Sequence, residues 1–219
     1  MNALELLIIN ASTSDYFQDY AFKVKAGTTY KSVYYFSDSV YFFADTNLDI
    51  GTQVDLLSVK CASLIAAGFS LGFLVRAGIA VGDLRSRIVS LYNGDKSLVS
   101  IGRSMAKAHI LQESQEWIGG AVESEFPKGA KEINRVNYDV PIKDKKKFTD
   151  TKLEAINWVY ILASGINGVR ITKDEVIDKV QNSILKLNGS ESETIKAKLE
   201  NTMRFVEYIY SQPEYISDN

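Results

Sequence analysis

YYFSDSVYFF, from Tyr34 to Phe43, sets aromatic and β-branched residues on both sides of a central Ser37-Asp38. Such residues favour a pleated, half-buried strand, and a short polar pair between two such runs marks a tight turn. The wider segment Lys31 to Ala44 therefore predicts a β-hairpin with a carboxylate at its tip. Working outward, Gly51 to Gly68 places Val54, Leu57, Cys61, Leu64 and Ile65 at helical spacings, which predicts a helix stopped by Gly68. The run FLVRAGIAV, Phe73 to Val81, is almost continuously apolar and predicts a strand buried on both faces. Hairpin, helix and returning strand together make a split β-α-β pattern.

Further along, Asn93-Gly94 predicts a turn, and Ser104 to Gln115 a helix with Met105, Ala108 and Leu111 on one side. Trp117 to Ser124 predicts another strand. Pro127 to Lys147 is polar and basic, and predicts loops around a short strand at Val136 to Val140. Glu154 to Ala163 is apolar. Lys173 to Leu187 and Glu191 to Tyr210 have amphipathic helical patterns separated by Asn188-Gly189-Ser190, the pattern of a helical hairpin. At the other end, Leu4, Leu7 and Ile8 predict a short amphipathic helix over Asn2 to Asn10. The expected fold is α+β: a ferredoxin-like sheet with helices on one face and a C-terminal helical hairpin. The expected division is a first unit over residues 1–150 and a helical extension over 151–219 packed on it.

Composition narrows the function classes. Lys plus Arg number 25 against 27 Asp plus Glu, so a net charge of -2 provides no global field for nucleic acid or an anionic membrane. Any anionic ligand has to be held locally. Cys61 is the only cysteine and His109 the only histidine, which leaves no disulfide framework and no Cys/His zinc site and fits a reducing cytoplasm. Met1 to Asn10 has Glu5 and no basic run, and Cys61 to Ala80 is interrupted by Gly68, Gly72 and Arg76, so neither a signal peptide nor a membrane span is expected. No G-x-x-x-x-G-K-[ST], G-x-S-x-G or H-E-x-x-H occurs, which leaves P-loop, serine-hydrolase and zincin chemistry without support.

Three segments carry a family resemblance by their order and spacing: Tyr34 to Phe43, LVRAGIAVGDL from Leu74 to Leu84, and SIGRSMAKAHILQES from Ser100 to Ser114. Together they resemble the palm of class III adenylate and guanylate cyclases, over roughly the first 125 residues counted by segment. The first resembles the metal-bearing hairpin, the second the strand of form R-x-G-I-x-x-G, and the third the helix that opens with G-x-x-x-N-x-A. The nearest likeness is to the small bacterial uridylate and cytidylate cyclase-like proteins of anti-phage signalling, a likeness shared by ENTMRFVEYI, Glu200 to Ile209. The resemblance implies a palm-type sheet and the conversion of a nucleoside triphosphate, UTP or CTP foremost, to a 3′,5′-cyclic nucleotide and pyrophosphate. It also implies Mg²⁺ or Mn²⁺ and a head-to-tail homodimer, since sites in this family form between two palms.

The resemblance assigns roles residue by residue. Asp38 matches the metal-binding Asp of the hairpin, and Tyr34 the place that reads the base. The partner Asp belongs to a preceding strand of form F-x-D-x-x-G-F, and nothing between Met1 and Lys31 fits it. That strand is expected upstream of Met1 or to have been lost. The family's helix supplies an Asn that orients the ribose and, four residues on, an Arg that stabilises transition-state charge. Those places hold Ala106 and Ile110 here. Arg103 and Lys107, one turn apart on that helix, are the candidates to clamp phosphates in their stead. A palm that binds a nucleotide or a partner without catalysis is the alternative, and a structural role for the helical tail is a third.

Overall fold

Described residues of this computed structural model are 32–36, 39–44, 47–72, 74–83, 85–90, 96–123, 134–148, 152–164, 170–186 and 193–216. The predicted N-terminal helix over Asn2 to Asn10 lies outside them. The aromatic segment forms the hairpin expected of it: β1 (Ser32–Phe36) pairs antiparallel with β2 (Ser39–Phe43), and Tyr34 stands in register with Tyr41.

Helix α1 (Ile50–Leu71) begins where Asp49 accepts hydrogen bonds from the Thr52 amide, at 3.0 Å, and the Thr52 hydroxyl, at 2.6 Å. It runs one turn past the expected stop at Gly68 and ends at Gly72, whose left-handed φ of 82° lets its amide donate to the Gly68 carbonyl. Phe69 accounts for the extra turn. Its buried ring lies 4.7 Å from that of Trp158, and its carbonyl accepts from the Ser183 hydroxyl at 2.8 Å. Among the described residues α1 is the one helix long and apolar enough to cross a membrane, and 72% of its apolar window is buried within the fold.

The predicted strand over Phe73 to Val81 shortens to β3 (Ala77–Ile79), in which only Ile79 is fully buried. It stands at one end of a four-stranded sheet and pairs parallel with β6 (Gly120–Glu123), the core of the strand expected over Trp117 to Ser124. A second antiparallel hairpin, β4 (Arg85–Ser90) and β5 (Lys96–Ile101), leads into α2 (Arg103–Ser114). The strand expected at Val136 to Val140 is only β7 (Arg135–Val136). Beyond it the chain is instead zipped to the end of α2: Glu116 N donates to Pro141 O and Lys143 N to Ser114 O, both at 2.8 Å.

The apolar run after residue 150 divides at Asn157 into β8 (Leu153–Ile156) and α3 (Trp158–Ser164). β8 lies inside the sheet, antiparallel to both β6 and β7, giving the mixed order β3-β6-β8-β7. The residues assigned in sequence to a C-terminal extension thus supply an inner strand. α4 (Lys173–Lys186) and α5 (Glu193–Ser211) form the expected helical pair. The described residues amount to an α+β fold with a small mixed four-stranded sheet and five α-helices.

Register shows which face each helix covers, because side chains alternate along a strand. Gly120, in register with Ala77, faces Ile156 of β8 and Ile65 of α1, and Arg135, in register with Ile156, faces Asp55 of α1. Gly78 and Glu123 point the other way, toward Ala108 and Lys107 of α2. Helices therefore cover both faces, a correction to the expected single helical face. Gly120 beneath α1 and Gly78 beneath α2 let each helix approach the sheet closely.

Candidate functional site

β3 and β6 run parallel, so their C-terminal ends emerge side by side, a common place for ligand sites in sheets of this kind. Asp83 follows β3 and Glu123 ends β6. α2 lies against this corner through bare backbone: a Cβ on Gly78 would fall 2.3 Å from the Ala108 carbonyl oxygen, and one on Gly82 would fall 3.1 Å from the Ser104 amide. Two of the three resembling segments, those from Leu74 and from Ser100, thus meet directly.

Arg103 and Lys107 project from α2 at this corner, each already holding an acid. Arg103 Nε donates to Asp83 Oδ1 at 2.6 Å, the Ser104 hydroxyl donates to Asp83 O at 3.2 Å, and Lys107 Nζ lies 3.6 Å from Glu123 Oε1. The hydrogen bond from Arg103 holds the Asp83 carboxyl below the usual carboxylate range. Arg103 is 84% exposed and Asp83 53%, so their pair is open to solvent and exchangeable. Glu123 is the shielded member of the other pair, at 10%. Ala106 and Ile110 are exposed on the same helix, as is His109.

Arg76, the arginine of the R-x-G-I segment, serves the opposite end of α2. It donates to Gln115 O at 3.3 Å and lies 3.5 Å from Glu113 Oε1. Gln115, fully buried, donates to Ala77 O at 2.8 Å and accepts from the Trp117 indole at 2.8 Å, fixing the helix end to the sheet. Arg76 is a brace between strand and helix.

Tyr34 sits mid-strand in β1, and Asp38 lies outside the described residues. The hairpin touches the body at α1, where Lys60 Nζ stands 5.4 Å from the centre of the Phe42 ring. Arg103 and Lys107 are thus brought to one corner, while Tyr34 is placed on a separate two-stranded sheet. Among the described residues no group of three or more His, Cys, Asp or Glu is placed to hold a metal ion. The metal expectation rests on Asp38.

No family model, curated protein or solved structure matches the chain.

Sequence reasoning passed over the acids that engage the two cations. Asp83 was inside the quoted LVRAGIAVGDL and Glu123 at the end of a predicted strand, and one turn between Arg103 and Lys107 was signal enough to look for a matching acidic pair. It also passed over a buried ionic group. Arg135, 1% exposed, lies 3.1 Å from Asp55 Oδ1 and 3.5 Å from Glu154 Oε2, with α1, β7 and β8 each giving one member. These three residues are separated by 80 and 19 positions, by subtraction of their numbers, so no local pattern announces them.

Proposed function

We propose that this chain is a nucleotide cyclase-like protein that converts a nucleoside triphosphate, with UTP and CTP as first candidates, to a 3′,5′-cyclic nucleotide and pyrophosphate in bacterial defence signalling. One observation carries the reading: the glycine-bearing strand and the helix that resemble the cyclase palm are in backbone contact, and the helix presents Arg103 and Lys107 beside the ends of two parallel strands. In the reaction the ribose 3′ oxygen bonds to the α-phosphorus as the bond to the bridging oxygen breaks. The 3′ proton passes to solvent and pyrophosphate leaves. Mg²⁺ or Mn²⁺ held through Asp38 would supply charge neutralisation, Arg103 and Lys107 bind phosphate oxygens, and Tyr34 is the residue that the resemblance assigns to the base. Solvent-exposed ion pairs are worth about 1 kcal/mol or less, so a triphosphate can take Arg103 from Asp83.

The test is direct. Purified protein incubated with each of the four triphosphates and Mn²⁺ is expected to yield a cyclic nucleotide by mass spectrometry, and R103A/K107A to lower the yield about tenfold or more, as loss of transition-state charge stabilisation does. No cyclic product from any triphosphate overturns catalysis. A second reading, a palm that binds a nucleotide or a partner without turnover, is favoured by Ala106 and Ile110 standing exposed where the family has its Asn and Arg, and by cations already paired with Asp83 and Glu123. Saturable triphosphate binding without product identifies it. Sedimentation at several concentrations tests the head-to-tail homodimer expected under both readings.

A further inference from the structure

A second place in the fold has the make-up of a ligand site, on the far side of the sheet's β7 end. A cavity of about 430 Å³ opens between the loop that follows β7 and the start of β8, within the size range of small-molecule sites. Its lining is largely apolar, with Tyr138, Val140, Ile142, Phe148 and Leu153. Its rim carries Lys145, Lys152 and Asp139.

The walls are pinned. The Tyr138 ring lies 5.0 Å from both Phe205 and Tyr208 and 5.9 Å from Trp117, so it is one member of a packed aromatic group. Asn137 O accepts from the Tyr208 hydroxyl at 2.9 Å, and Ile142 bridges to Gln115. A wall fixed before binding loses little freedom on binding.

The rim is cationic in balance. Lys145 contacts Asp139 at 3.0 Å, but both ends are largely exposed, and Lys152 makes no ion pair among the described residues. Over residues 143–152 the sequence has five lysines (143, 145, 146, 147, 152) against Asp144 and Asp150. In a chain whose net charge is -2 this is a local concentration of positive charge.

We propose that this cavity binds an aromatic ring bearing an anionic group, the ring against Tyr138 and Phe148 and the anion at Lys152. Such chemistry occurs in aromatic carboxylates and in nucleoside monophosphates, and the experiment separates them. Binding of benzoate and of uridine 5′-monophosphate to the full chain is followed by calorimetry and by tryptophan fluorescence, with benzyl alcohol and inorganic phosphate as single-feature controls. At least one of the two probes is expected to saturate, more tightly than either control, and K152E to weaken it about fivefold as a charged contact is reversed. Saturation by benzoate alone assigns the carboxylate class, by the monophosphate alone the nucleotide class. The proposal is overturned if neither probe saturates, if a control binds as tightly as its probe, or if K152E leaves affinity unchanged. R103A/K107A leaves this binding intact, which separates it from the corner beside α2.

Discussion

At the scale of single residues, burial decides which charges matter. Arg135 sits among Asp55 and Glu154 away from water, where removal of one partner leaves uncompensated charge. R135A is expected to lower stability by about 3–5 kcal/mol, and replacing all three by apolar residues of similar volume to restore most of it, both by urea denaturation. Lys60 and Cys61 give a pH signature. Burial lowers the Lys60 ammonium from 10.5 to about 8 and raises the Cys61 thiol from 9.0 to about 12. Between pH 8 and 10.5 the unfolded chain therefore binds more protons at Lys60, and stability rises with pH; between 9 and 12 the folded chain binds more at Cys61, and stability falls. Lys198, lowered by burial and by Arg76 and Lys143, acts in the Lys60 direction. Denaturation midpoints should climb from pH 8 to 9 and level off above it. K60M should reduce the climb to the part that Lys198 contributes, and C61A should extend it.

At the scale of elements, close approach of backbone is the recurring device. α2 buries only Leu111 fully, so its position depends on the glycines beneath it more than on an apolar stripe. G78A places a methyl 2.3 Å from a carbonyl oxygen that belongs to the helix backbone and cannot swing aside. It should lower stability by about 2 kcal/mol, in the range for overpacking, and shift α2. G82A, with its nearest contact at 3.1 Å, should be milder. A thermal melt of the two variants orders them. The N-terminus of α1 offers a separate check: D49A removes the cap on Thr52 and should destabilise by about 1 kcal/mol.

At the scale of the molecule, one late strand ties the chain together. β8 is the neighbour of both β6 and β7, and α3, which follows it, packs Trp158 against Phe69 of α1. Thr202 of α5 accepts the Ile118 amide at 2.9 Å, and Asn157 donates to Tyr215 O at 2.9 Å, closing the C-terminal segment onto the sheet. A chain ending at Asp150 loses the partner strand of β7 and the cover of α1 together. It should show no cooperative unfolding transition by circular dichroism, whereas two independent units would leave one intact.

Local pattern determined the elements whose signal is contained in adjacent residues. The aromatic hairpin, the two amphipathic C-terminal helices and the helix opening at Arg103 were legible because spacing and turn chemistry act within a few residues. Arg103 and Lys107 were likewise legible as neighbours on one helix face. Tertiary structure decided what depends on distant partners. Gly68 looked like a stop until Phe69 found Trp158, and the phosphate candidates looked free until Asp83, after β3, and Glu123, at the end of β6, came against them. The Asp55–Arg135–Glu154 group and helices on both sheet faces had no local trace, because burial and strand order arise from contacts between residues far apart in the chain, which no window of sequence contains.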